Sequence, residues 1–293
     1  MNLRVLQTMR YHRLGVLILP FLILVSGLTH GADPVALVTD LEGSVTRTNA
    51  GQVKAVNLLD ELNRGTRLKV APGARIALVY LDSGEEFTSQ GPAAMVLAAG
   101  GVQNESGSPP QIRRLLSDSA GNDGAKLKPI NVAQLSLVMR GSGSGKRAKY
   151  LNDTKTLSPH PYFQWTAPTP NARYLFTLTD DTGEVQIEAM TTAGFQLPDS
   201  VRLEPGVTYG WEADPQSGGS RAELVWGSFE LAEEALRSKA KRLQPGPGAT
   251  FSERVVYATW LNQNRLRDEA RRYWSALAKM RNDDPRLRAL AGL

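Results

Sequence analysis

Apolar residues two apart recur between residues 35 and 97 and again between 157 and 231. After 232 the spacing changes to three and four. Period two lines one face of a strand, and period 3.6 lines one face of a helix. The clearest strand is 74–81, where Ile76, Leu78 and Tyr80 share a face. Glycine-bearing turns surround it at Gly65, Pro72-Gly73, Ser83-Gly84 and Gly91-Pro92. Gly73 and Gly84 fall where a tight turn needs positive φ. Residues 35–40 and 43–47 make a further strand–turn–strand.

The middle of the chain is less regular. Residues 98–128 hold Gly-Ser and Asn-Asp-Gly pieces, Pro109-Pro110 and a short apolar patch at 112–116. This predicts a loop or linker with one helical turn. Strand character returns at 130–140, with Leu135, Leu137 and Met139 on one face. A second β-domain follows over 157–231. Phe163 and Trp165 alternate, as do Tyr174, Phe176 and Leu178 before a turn at Asp180–Gly183. Val185 and Ile187 follow, then a turn at Glu204-Pro205-Gly206 of the kind that suits type II. Tyr209 and Trp211 come next, and 224–229 predicts the last strand.

The remainder is helical. Residues 229–243 carry no breaker and stop before Pro245-Gly246-Pro247-Gly248. Thr250 and Glu253 form a capping box that opens a helix to about Asn262. A third helix covers 265–280, with Leu266, Ala270, Trp274 and Ala278 four apart. Asp284-Pro285 reads as an N-cap with proline at N1, opening a short last helix. The expected fold class is therefore mainly β with a C-terminal α segment. Its parts are a leader (1–31), a small β-domain (32–98), a linker (99–156), a β-sandwich (157–231) and a basic helical tail (232–293). Deletion of 250–293 is expected to leave the β-domains folded.

The N-terminus sets the expected compartment. Arg4, Arg10 and Arg13 precede a twelve-residue apolar run at 14–25, and small and polar residues follow to Gly31. This is the order of a secretory signal, with cleavage after Gly31 and an uncleaved anchor as the alternative. The run is too short for a typical spanning helix. With no cysteine in the chain, a bacterial lipid anchor, thiol chemistry and disulfides are excluded. Charge is uneven. Residues 235–293 hold 13 Lys/Arg and 5 Asp/Glu, whereas 32–234 carry a net charge of about −6. In an exported protein this favours an anionic membrane surface, a cell-wall glycan or an acidic protein face over nucleic acid. Candidate contacts for an anionic partner are Arg140, Lys146, Arg147, Lys149, Arg271 and Arg272.

Catalytic chemistry is thinly represented. His12 and His30 lie in the leader, and His160 stands between two prolines with nothing adjacent in sequence to orient it. Gly141–Lys146 fails as a phosphate loop, because Arg140 and Arg147 replace the required glycine and hydroxyl. Carboxylate pairs at Glu85-Glu86, Asp180-Asp181, Glu233-Glu234 and Asp283-Asp284 fall mostly at turns and helix ends. Asp180–Gly183 lacks the spacing of a calcium loop. No enzyme activity and no cofactor are expected.

Three resemblances add to this reading. Gly43-Ser44-Val45, Gly65 with Leu68 and Val70, residues 73–78, Gly84-Glu85-Glu86 and Gly91-Pro92 together resemble a FecR-like domain, over roughly a fifth of the chain. That resemblance implies an exported binding or scaffold module. The family's signalling regulators carry a cytoplasmic anti-sigma segment. Only about 13 residues precede the apolar run here, so strict sigma-factor regulation is disfavoured. Residues 157–231 resemble a fibronectin type III or immunoglobulin-like sandwich. That implies Tyr209 as a corner tyrosine bonded to the backbone, and Trp165 and Trp211 as core. Residues 252–280 resemble one tetratricopeptide hairpin, with Ala258 and Ala270 at close approach and Trp260 and Trp274 as core. Leu277 and Pro285 depart from that pattern, and a lone hairpin needs a neighbour to cover its face. The expected function is an exported, non-enzymatic binding or scaffold protein of the bacterial envelope that contacts another envelope protein. A cell-wall glycan binder is the alternative, and an envelope signalling component is a second one.

Overall fold

In the computed structural model, residues 34–49, 51–115, 127, 148–167, 172–216 and 224–293 are described. The leader, the strand expected at 130–140 and the glycine-rich stretch 141–146 lie outside them. Ten strands fill the first β-region: β1 (Pro34–Glu42), β2 (Val45–Asn49), β3 (Gln52–Ala55), β4 (Glu61–Asn63), β5 (Arg67–Val70), β6 (Arg75–Tyr80), β7 (Glu85–Gln90), β8 (Ala93–Ala98), β9 (Gly101–Ser106) and β10 (Gln111–Arg114). They pair into two antiparallel five-stranded sheets, ordered β10-β7-β6-β1-β4 and β3-β2-β5-β8-β9. Ala36, Val38, Ile76, Leu78 and Tyr80 of the first sheet meet Leu68, Val70, Met95 and Leu97 of the second in one core. The result is a β-sandwich.

β9 and β10 fall within the stretch expected to be linker. Their residues are mostly exposed and polar, so no apolar alternation marks them. Backbone pairing places them instead, Gln111 opposite Thr88 and Gln103 opposite Val96.

The second β-region holds β11 (Thr154–Thr156), β12 (Tyr162–Gln164), β13 (Tyr174–Thr179), β14 (Val185–Thr191), β15 (Gly194–Gln196), β16 (Thr208–Pro215) and β17 (Val225–Leu231). A five-stranded sheet ordered β11-β17-β16-β13-β14 faces the two-stranded β12-β15 ribbon. Phe163, Trp165, Tyr174, Phe176, Trp211 and Phe229 fill the space between them. The β13–β14 turn is closed by Asp180, whose carboxylate accepts from the backbone N–H groups of Thr182 and Glu184 at 2.9 and 3.0 Å. The acid-rich turn is thus an Asx-type turn that uses its carboxylate internally.

Four helices end the chain: α1 (Glu234–Leu243), α2 (Phe251–Gln263), α3 (Arg267–Met280) and α4 (Pro285–Ala291). α1 begins later than the sequence pattern suggests, because Phe229 and Leu231 are drawn into β17 by pairing with Tyr209 of β16 and Thr156 of β11. Thr250 and Glu253 make both bonds of the capping box at α2. Asp284 caps α4, accepting from Arg286 N–H at 2.8 Å.

The helical segment is not a separate tail. α2 is buried on nearly all sides, as the run at 255–261, apolar but for Thr259, requires. On one side Tyr257 Oη donates to the Ala240 carbonyl of α1 at 2.9 Å. On another, Val255, Val256 and Leu261 share a core with Leu37, Leu58, Leu59, Val79 and Leu81 of the first sandwich. β1 and β6 are therefore buried on both faces, with Leu37 and Val79 turned to the helices and Val38 and Leu78 turned to the other sheet. Trp260 and Trp274 are core residues of this joint helix–sheet layer.

Candidate functional site

Every helix-borne arginine that docks the segment meets an acid or carbonyl of the β-body. Arg281 donates to Asp40 at 2.7 Å and to the Leu41 carbonyl at 2.9 Å. Asp40 is nearly buried and also takes Arg75. Arg286 donates to Asp60 at 2.6 Å and to the Leu58 carbonyl at 2.8 Å. From the other direction, Arg113 of β10 bonds buried Glu86 and reaches the Thr250 hydroxyl at 2.8 Å. The Glu86 hydrogen bond raises Arg113 above the usual guanidinium range.

The opposite end of the segment grips the second sandwich. The bend between α2 and α3 offers the Arg265 carbonyl to Lys155 N–H at 2.8 Å. Arg265 pairs with Glu230 at 2.9 Å, and Arg267 pairs with Asp153 at 2.6 Å. Partial burial would raise the Asp153 carboxyl, but the hydrogen bond and charge of Arg267, with Arg265, outweigh it and hold it low. Asp268 accepts from Leu151 N–H at 2.6 Å, and Glu269 accepts from Leu157 N–H at 3.1 Å. Burial pushes both carboxyls up. The basic helices and the acidic β-body are thus partly complementary within one chain. Partly exposed pairs of this kind fix orientation more than they add stability.

Beside this grip lies a hollow of about 370 Å³ on the second sandwich. Lys149, Tyr150, Gln164, Trp165, Thr166 and Val225 line it. Arg271 of α3 braces its lip, donating to the Lys149 carbonyl at 2.6 Å and to Asp268 at 3.0 Å. The Arg271 guanidinium lies 5.1 Å from the centre of the Tyr150 ring, and the Lys149 ammonium lies 5.8 Å from it. Both distances allow a cation–π contact. A second cleft, of about 410 Å³, is lined by polar residues of the first sandwich, including Arg47, Lys54 and Glu61.

The expected partner residues separate accordingly. Arg271 is corrected from an outward contact to an inward brace, its side chain only 13% exposed. Lys149 and Arg272 are exposed. Arg140, Lys146 and Arg147 lie outside the described residues. Among the aromatics, the Tyr209 hydroxyl accepts the Glu204 N–H at 2.8 Å, and Trp211 Nε1 donates to the Leu151 carbonyl at 2.8 Å. Trp165 stacks beside Phe176 and meets Tyr174 edge-on, while one edge of it reaches the hollow. His160 Nε2 lies 3.7 Å from the exposed Asp199 carboxylate. Sequence reasoning offered the aromatics with the basic 140–149 stretch, Lys149 included, as an alternative glycan contact, but not the hollow that joins them. Its walls come from segments separated by up to 77 residues, and alternation explains Trp165 as core alone.

Neither a protein-family model nor a curated protein matches the chain. One similar solved structure is described as "Cell surface anchoring domain". It is 18% identical, covers 24% of this chain and 91% of its own, and has a TM-score of 0.23. Among the described residues, no helix is long and apolar enough to cross a membrane.

Proposed function

We propose that the protein is an exported, non-enzymatic scaffold of the bacterial cell envelope, presenting two β-sandwiches to another envelope protein. The observation that supports this is the helical clamp. Its apolar face and four of its arginines are used to hold one sandwich and grip the other, so both surfaces are offered in one fixed relation. A flexible tether would not need so many directed, partly buried ion pairs. The leader-like N-terminus and the FecR-like pattern over 35–97 support export and a binding role. The test is affinity capture from cross-linked envelopes with the tagged chain from Ala32. One or two envelope proteins should be recovered reproducibly, and recovery should fall with the Arg281→Ala/Arg286→Ala variant, which loosens the clamp. Equal recovery by that variant, or no recovery by the parent, sinks the reading.

A second reading has an observation of its own. The hollow at Tyr150 and Trp165 joins aromatic edges to exposed hydrogen-bonding groups, a lining suited to a cell-wall glycan. Co-sedimentation with isolated cell wall that survives high salt tests it. Loss at moderate salt would mean nonspecific charge attraction.

A further inference from the structure

The hollow's lining narrows the class of sugar. Gln164 and Thr166 are exposed, and each can both donate and accept a hydrogen bond, as sugar hydroxyls require. Tyr150, the edge of Trp165 and Val225 supply apolar surface for the C–H face of a ring. Among the described residues, no carboxylate lines the hollow. Asp268, which holds the hollow's lip, is buried and committed to Leu151 N–H and Arg271. Lys149 makes no ion pair among the described residues, and its ammonium stands at the Tyr150 ring beside the Arg271 guanidinium. Among the described residues, the Lys149 charge at this wall therefore has no counter-charge, and a neutral sugar would give it none.

We propose that this hollow binds a carboxylated sugar, with the ring against Tyr150 and Trp165 and the carboxylate at Lys149. The proposal rests on the glycan reading and is independent of the scaffold reading. An ammonium next to a low-dielectric wall favours an anion more strongly than the same group in open water. The hollow's volume accommodates a monosaccharide with a short acidic substituent.

The test uses the full chain from Ala32 and three probes: N-acetylmuramic acid, N-acetylglucosamine and lactate. The first two share a ring and differ by the lactyl carboxylate, and the third is that acid without the sugar. Binding is followed by calorimetry and by amide shifts of residues 148–150 and 164–166. N-acetylmuramic acid should bind about tenfold more tightly than N-acetylglucosamine, and lactate should not bind at about 1 mM. Lys149→Met should level the two sugars, and Lys149→Arg should restore the preference. Because Lys149 is exposed, neither variant threatens the fold. Equal binding of both sugars, unchanged in Lys149→Met, would overturn the carboxylate assignment and leave the glycan reading standing. Lactate binding as tightly as the acidic sugar would overturn the sugar assignment. No binding by either sugar would end both, while envelope capture decides the scaffold reading separately.

Discussion

Removing residues 250–293 deletes α2, α3 and α4 and uncovers the outer face of β1 and β6. Leu37, Leu58, Leu59, Val79 and Leu81 then lose their cover. At about 1.5–3 kcal/mol for each fully buried side chain, exposing five of them costs about 7–15 kcal/mol. A domain of this size has a total stability of about 5–15 kcal/mol. Asp40 and Asp60 also lose Arg281 and Arg286, although renewed contact with water offsets part of that. The first sandwich should therefore not survive the truncation. The second should, because its core contains no residue of the deleted helices. Hydrogen exchange separates the two outcomes. Peptides covering 34–42 and 75–80 should lose protection, while those covering 174–179 and 208–215 keep it. Near-UV circular dichroism adds a control. All five tryptophans lie beyond residue 164, so after truncation the remaining tryptophan signal reports the second sandwich alone. Retained protection at 34–42 would refute the shared core and restore the picture of an independent tail.

Other outcomes follow from single contacts. Gly91→Ala would set a Cβ 1.8 Å from the Ala71 carbonyl oxygen and should cost about 3 kcal/mol, read by urea unfolding. Tyr209→Phe removes the bond to Glu204 N–H and should cost about 1 kcal/mol, with the remaining core unchanged by near-UV circular dichroism. For Glu269 the sign is set by burial, which raises its folded-state carboxyl above the unfolded value of about 4.3. Its contribution to stability is full below that value and is lost as pH rises through the folded-state value. Glu269→Gln should therefore be more stable than the parent at neutral pH and converge with it below about pH 4. Parallel urea midpoints from acid to neutral pH would show that burial is not what governs this carboxyl.

The strands with apolar alternation were readable because each has a dry face. Residues 74–81 carried a further signal that period two alone discards. Ala77, Val79 and Leu81 are apolar as well, and a strand apolar on both faces is covered on both. The helices that cover it begin 170 residues later, so nothing local names the cover. α2 gave the matching hint, since residues 255–261 are apolar around two turns but for Thr259, which a tail lying on a surface would not need. β9 and β10 escaped notice because edge strands placed by backbone bonds need no apolar code. The charge asymmetry was plain in the sequence, but its meaning was not. A basic segment beside an acidic body reads equally as a surface for an outside partner or as two halves of an internal contact. Arg281 with Asp40 and Arg286 with Asp60 show that internal pairing uses part of it, through contacts more than 220 residues apart.

The clamp and the hollow are mechanically joined. Residues 149–151 form the lip of the hollow, and α3 holds that lip at two points, Arg271 on the Lys149 carbonyl and Asp268 on Leu151 N–H. Trp211 holds the Leu151 carbonyl from the sandwich side. If α3 lifts away, the lip loses both helical anchors and the cation that braces Tyr150. A ligand in the hollow therefore favours the docked arrangement, and by linkage it stabilises that arrangement by RT ln(1 + [L]/Kd), about 2.7 kcal/mol at a hundredfold excess over Kd. The same linkage runs in reverse. Loosening α3 at its far end, where Arg281 meets Asp40, should weaken binding at a lip it does not touch. That coupling separates a hollow built into the clamp from an indentation on the second sandwich alone. In the latter case Arg281→Ala would lower stability and leave the affinity for N-acetylmuramic acid unchanged.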